Sequence, residues 1–186
     1  MTLAYVFWHW KQEPVSASDY EARQAAFQQA LRDAPSPGFK RSMVLAVRGL
    51  PWAASGGAAY EDWYLVDGSV ALDPLNDAAV TASRRPPHDH AAAAAAGGTA
   101  GLYRLRAGAP LKAPAQATWF SKPDGTSYAA LDALLAPICA GGNAALWCRN
   151  MVLGPGPEFC LQATKPVTLP APLQGSAVAL RAVWAG

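Results

Sequence analysis

Apolar and polar positions along the chain alternate in two periods, and the switches between them divide the sequence into elements. Leu3–Trp10 is dense in aromatic and β-branched residues and predicts a strand. Leu3, Tyr5, Phe7 and His9 fall on one face, and Ala4, Val6, Trp8 and Trp10 on the other. Both faces are largely apolar, so this strand is expected in the interior, covered on both sides. Pro14 ends it. Ser18 with Glu21 predicts a capping box, and Tyr20, Phe27 and Leu31 mark the buried face of a helix running to about Asp33. Pro35, Pro37 and Gly38 stop that helix.

Ser42–Leu50 and Tyr60–Asp67 predict two strands of an antiparallel hairpin, joined by a Gly/Ala-rich turn over Pro51–Ala59. Asp73-Pro74 supplies an N-cap and a first-turn proline for a short helix to about Ala82. The stretch Arg84–Arg106, RRPPHDHAAAAAAGGTAGLYRLR, predicts a helix over about Asp89–Ala96, a stop at Gly97-Gly98, and a strand over Leu102–Arg106. Ala107–Ala115 contains two prolines and no period, which reads as a linker. The order then restarts: strand Ala117–Ser121, a helix capped by Asp124 or Thr126 with Tyr128, Leu131, Leu134 and Leu135 on one face, strand Ala144–Leu153, strand Glu158–Thr164, a proline-rich segment, and strand Ala177–Trp184.

This order is β-α-β-β-α-β followed by β-α-β-β-β. The predicted fold is α+β: two ferredoxin-like (βαββαβ) units in tandem, with antiparallel sheets and helices on one face. The first unit spans 1–106, the linker 107–115, and a second, reduced unit 116–186, whose prolines stand where its second helix should be. In topology, and in the helix-to-strand pattern HDHAAAAAAGGTAGLYRL, the chain resembles the dimeric α/β-barrel superfamily. That superfamily includes the EthD-like, antibiotic-biosynthesis-monooxygenase-like and stress-responsive barrel proteins. The resemblance implies two units forming an internal pseudo-dimer around an apolar cavity between the sheets, and an activity on small hydrophobic or aromatic compounds.

Composition narrows the function classes. The chain has 186 residues, 52% hydrophobic and 15% charged, with a formal net charge of +2. Its basic residues are scattered, with no basic stripe interleaved with aromatics, so nucleic acid is not an expected partner. No run of about 18 apolar residues predicts a membrane span. The N-terminal sequence lacks the pattern of a signal peptide, and a cytoplasmic, bacterial-type protein is expected. Cys139, Cys148 and Cys160 have no CxxC spacing and read as small buried apolar residues.

Candidate chemistry centres on His9, whose titration range suits a general base and whose aromatic surroundings favour the neutral ring. The competing reading of His9 is a strand-end histidine bonded to backbone. Asp62 is a candidate to orient it. Trp8 or Phe7, Tyr64 and Trp119 are candidates to line the cavity, and Arg48 to anchor an anionic group. His88 and His90 form H-x-H, which on an extended segment can share a metal; the alternative is that they flank a helix cap made by Asp89, at a wet surface. The glycines at 97, 98 and 101 follow a helix and precede a strand, the reverse of a nucleotide loop. No motif calls for a cofactor, so cofactor-free chemistry is expected. The expected partner is a small-molecule ligand, with a homodimer as a further possibility. The alternative function is a non-catalytic interaction or oligomerisation module.

Overall fold

The computed structural model describes residues 1–53 and 57–186. Its strands are β1 (Leu3–Lys11), β2 (Phe39–Arg48), β3 (Ala58–Val66), β4 (Ala95–Gly108), β5 (Gln116–Phe120), β6 (Ala144–Arg149), β7 (Phe159–Ala163) and β8 (Gly175–Ala185). Its helices are α1 (Ala17–Asp33), α2 (Leu72–Ala79), α3 (Arg85–Ala92) and α4 (Tyr128–Ala140). The eight strands close into one antiparallel barrel in the order β1-β3-β2-β8-β5-β7-β6-β4. Within it the first half contributes β4-β1-β3-β2 and the second β8-β5-β7-β6, the same relative order twice. The halves join through β2–β8 and β4–β6.

Side-chain alternation along the strands sorts the core into an inside and an outside. Ala4, Val6 and Trp8 of β1 point inward with Met43, Leu45 and Val47 of β2, Trp63 of β3, Tyr103 of β4, Trp119 of β5 and Trp147 of β6. Trp8, Trp63, Trp119 and Trp147 are all fully buried there. Trp8 and Trp119 meet edge to face at 5.4 Å, and Trp63 and Trp147 lie 5.3 Å apart. Each such ring removes roughly 150–250 Å² from water, which is how an alanine-rich chain builds a barrel core. One carboxylate sits among them: Glu61 accepts from Trp8 Nε1 at 3.2 Å and Trp63 Nε1 at 3.1 Å. Burial pushes its carboxyl up to about 7 against those two hydrogen bonds.

The outer face of the first half is covered by α1, α2 and α3, and that of the second half by α4. Helix α1 begins at Ser16, whose side chain accepts from Asp19 N–H at 3.1 Å; Ser18 is therefore not the cap. Its inner face is Tyr20, Gln24, Phe27, Gln28 and Leu31, so two glutamines share the stripe expected to be aromatic and aliphatic. Helix α4 is capped by Ser127 rather than by Asp124 or Thr126.

The largest departure from expectation lies in Arg84–Arg106. Helix α3 starts earlier, with Pro86 and Pro87 in its first turn, where a missing N–H costs nothing. It also stops earlier, and Ala95–Gly108 is one continuous strand paired to β1. Gly97 and Gly98 do not cap a helix; they lie opposite Trp10 and His9. A Cβ at Gly97 would lie 2.8 Å from the Trp10 ring, and one at Gly98 would run into the Phe7 ring. These glycines clear space for aromatic rings on the neighbouring strand. The expected Pro51–Ala59 turn includes residues 54–56, which lie outside the described residues.

Candidate functional site

A cavity of about 680 Å³ lies between α1, α2, α3 and the outer face of β1, β3 and β4. The volume falls within the range of small-molecule sites, about 300–1,000 Å³. Tyr5, Phe7, Phe27, Leu31, Leu75 and Leu102 form much of its wall. The expected position between two sheets is instead the packed interior of the barrel. Trp8 and Trp119, proposed from sequence as cavity residues, are buried there and face away from this pocket.

The floor of the cavity is a hydrogen-bonded chain of buried side chains. Phe7 and His9 are successive outward residues of β1, and Asp62 stands opposite Phe7 on β3, so His9 and Asp62 are diagonal neighbours on one face. His9 Nε2 lies 2.9 Å from Asp62 Oδ1, and His9 Nδ1 lies 2.6 Å from the Tyr20 hydroxyl. The other carboxylate oxygen, Asp62 Oδ2, accepts from Tyr64 Oη at 2.8 Å and Gln28 Nε2 at 3.0 Å. Gln28 Nε2 also reaches Tyr64 Oη at 2.9 Å. With Asp62 as an acceptor, Nε2 carries the imidazole proton and Nδ1 accepts from Tyr20 O–H. His9 is 1% exposed. Its ring is stacked on Phe7 at 5.1 Å and on Tyr60 at 5.6 Å.

The hydroxyls around this carboxylate all hold their protons. Burial, and then the negative charge of Asp62, raise the Tyr5, Tyr20 and Tyr64 phenols above the ordinary tyrosine range. Burial likewise raises Tyr60 to about 12, helped by Glu21. At neutral pH the floor therefore presents hydroxyl donors around a single carboxylate.

The structure thus brings His9, Asp62, Phe7 and Tyr64 to one site. Arg48 does not join them; it is exposed at the end of β2, and neither Lys nor Arg lines the cavity among the described residues. His88 and His90 lie on α3, not on an extended segment. Residues two apart on a helix project about 200° apart. His88 lines the cavity and His90 is exposed, so the H-x-H pair does not converge, and Asp89 lies inside the helix rather than capping it. Sequence reasoning passed over Tyr20 and Gln28 as site residues. Their signal was present: position 28 is polar on a face otherwise set by Tyr20, Phe27 and Leu31.

No family model and no curated protein matches the sequence. Solved structures do match its fold over nearly the whole length. A "putative monooxygenase" from Lactobacillus acidophilus NCFM superposes with a TM-score of 0.61 at 10% identity, covering 98% of this chain and 94% of its own. A protein of the same description from Fusobacterium nucleatum subsp. nucleatum ATCC 25586 gives 0.63 at 7% identity, covering 98% and 93%. An anthrone oxidase-like protein gives 0.52 at 8% identity, again covering 98% and 93%. Identities this low carry the fold alone. Fold and site together define the class: a closed α+β barrel with an aromatic cavity held against its outer face by helices.

Proposed function

We propose that this chain binds and transforms a small apolar or aromatic molecule in the cavity under α1, α2 and α3. The observation that carries the reading is the meeting of a roughly 680 Å³ apolar cavity with the buried Tyr20–His9–Asp62 chain at its floor. An apolar wall with a few convergent polar groups is the usual form of a small-molecule site. His9 and Asp62 act as the proton-transfer pair. Nδ1 of His9 takes the proton of the Tyr20 hydroxyl when that hydroxyl takes one from the ligand, and the Asp62 carboxylate balances the imidazolium. Deprotonating an activated C–H leaves an electron-rich ligand. This is the form suited to the oxygenation suggested by the names of the similar structures.

The same reading treats the chain as two ferredoxin-like units, 1–106 and 116–186, joined by 107–115 into an internal pseudo-dimer of the α/β-barrel type. Support comes from the strand order, β4-β1-β3-β2 in one half and β8-β5-β7-β6 in the other.

The test is binding of a neutral aromatic probe, 2-naphthol, followed by thermal unfolding. A ligand at 100 times its Kd adds about 2.7 kcal/mol to stability. Saturable stabilisation of the wild type, reduced at least about tenfold in affinity by Ala91→Phe, is expected, because Ala91 is a buried wall residue. Ala91→Leu should give an intermediate loss. Equal binding by all three proteins refutes the site.

A further inference from the structure

We propose that His88 is a second acid–base residue of this cavity, the one that takes a ligand's O–H proton and exchanges it with solvent. The inference rests on the ligand site proposed above and adds the residue through which that site communicates with water.

His9 cannot serve that purpose directly. Both of its ring nitrogens are hydrogen-bonded, one to Asp62 and one to Tyr20, and the ring is 1% exposed. His88 stands across the cavity, on α3, with a side chain 31% exposed. Its ring meets Phe27 of α1 edge to face at 5.2 Å, which seats it in the apolar wall. His88 Nδ1 lies 3.0 Å from Asp89 Oδ1. Asp89 is held in turn by Arg85 Nε at 3.4 Å. The hydrogen bond from His88, and then the one from Arg85, hold the Asp89 carboxyl below the usual carboxylate range, so it is an acceptor at neutral pH. A carboxylate on Nδ1 fixes the proton there and leaves Nε2 as a free lone pair. A histidine oriented by an acceptor, open at its other nitrogen and set in a ligand cavity, has the parts of a general base.

The step is a proton transfer and needs no co-reactant. The ligand's O–H bond breaks, its electron pair stays on the ligand oxygen, and the proton passes to His88 Nε2. The imidazolium is balanced by Asp89, and the proton leaves through the exposed side of the ring. Other charged groups around it are Arg85 on α3, Asp73 on α2, which lines the same cavity, and Arg23 on α1, whose guanidinium reaches the His90 carbonyl at 3.5 Å.

The experiment uses 4-nitrophenol, whose absorbance separates the phenol from the phenolate. The wild-type protein is expected to bind it saturably and to raise its phenolate fraction about tenfold at a pH below its free pKa, a shift of one unit. His88→Gln should bind within about threefold yet lose that shift, while His90→Gln, two residues away and exposed, should keep it. His88→Asn provides a second variant should the first fold poorly. Nitrogen-15 NMR of labelled histidine should show His88 gaining a proton when the probe binds. Saturable binding with the shift intact in His88→Gln and His88→Asn overturns the role of His88 and leaves the cavity reading standing. No saturable binding to the wild type overturns both.

Discussion

His9 owes its character to what surrounds it more than to its own side chain. A carboxylate on Nε2, a phenol on Nδ1 and aromatic rings on both faces fix its tautomer and shut it from water. The stack against Phe7 depends on Gly98, because any Cβ there would occupy the space of the Phe7 ring. Gly98→Ala should therefore cost about 1–3 kcal/mol in denaturant unfolding, the usual cost of overpacking. Combining it with Phe7→Ala should recover at least about 1 kcal/mol of coupling. Purely additive effects would show that Gly98 is not there for Phe7. Much of this site was legible in the residues. The alternation of β1 places Phe7 and His9 together, and Asp62 beside Trp63 and Tyr64 is a plausible orienting group. Gln28 was legible only as a polar position on an apolar helix face; its role was not, because a glutamine there looks solvated until a buried carboxylate lies beneath it. Trp8 and Trp119 were misplaced because both faces of an aromatic strand look alike in sequence, and only barrel closure decides which is inside.

Helix α1 provides the roof over the floor network, so its seating matters beyond its own stability. Ser16 accepts from Asp19 N–H at 3.1 Å. Ser16→Ala should lower stability by about 1 kcal/mol, as loss of an N-cap does. Hydrogen exchange should localise the effect to the first turn, and loss spread evenly along the chain would contradict the cap. Strand and helix positions followed periodicity closely where it was strong, as in β1 and α1. The boundary failed between α3 and β4, where Ala91–Ala96 carries no face of its own and glycine ordinarily signals a stop. Pairing with β1 decided the matter: the ladder runs from Lys11 opposite Ala95 to Leu3 opposite Arg104. Space for Trp10 and Phe7 is a tertiary requirement that no local pattern announces.

The whole molecule couples two buried layers through one strand, since Glu61 and Asp62 of β3 face the barrel interior and the cavity floor respectively. Glu61, at about 7 in the folded barrel against an ordinary value of 4.5, makes stability depend on pH. Between those values the folded protein keeps a proton that the unfolded chain has released, so this contribution is full below pH 4.5 and is lost as pH rises through 7. The loss is on the order of 3 kcal/mol. Glu61→Gln should remove that slope, seen as the difference between wild type and variant in urea unfolding across the window; parallel curves would place the titration elsewhere. An α+β chain of antiparallel strands was readable from the order of elements, but the cavity's side of the sheet was not, because it depends on the indole-filled interior. Two-dimensional NMR of the protein titrated with 2-naphthol reports which side of the sheet holds the ligand. Saturable shifts are expected at Tyr5, Phe27, His88 and Leu102, with the indole N–H signals of Trp8, Trp63, Trp119 and Trp147 left in place. Shifts concentrated on those indoles, with the helix-side residues unmoved, would contradict the cavity site.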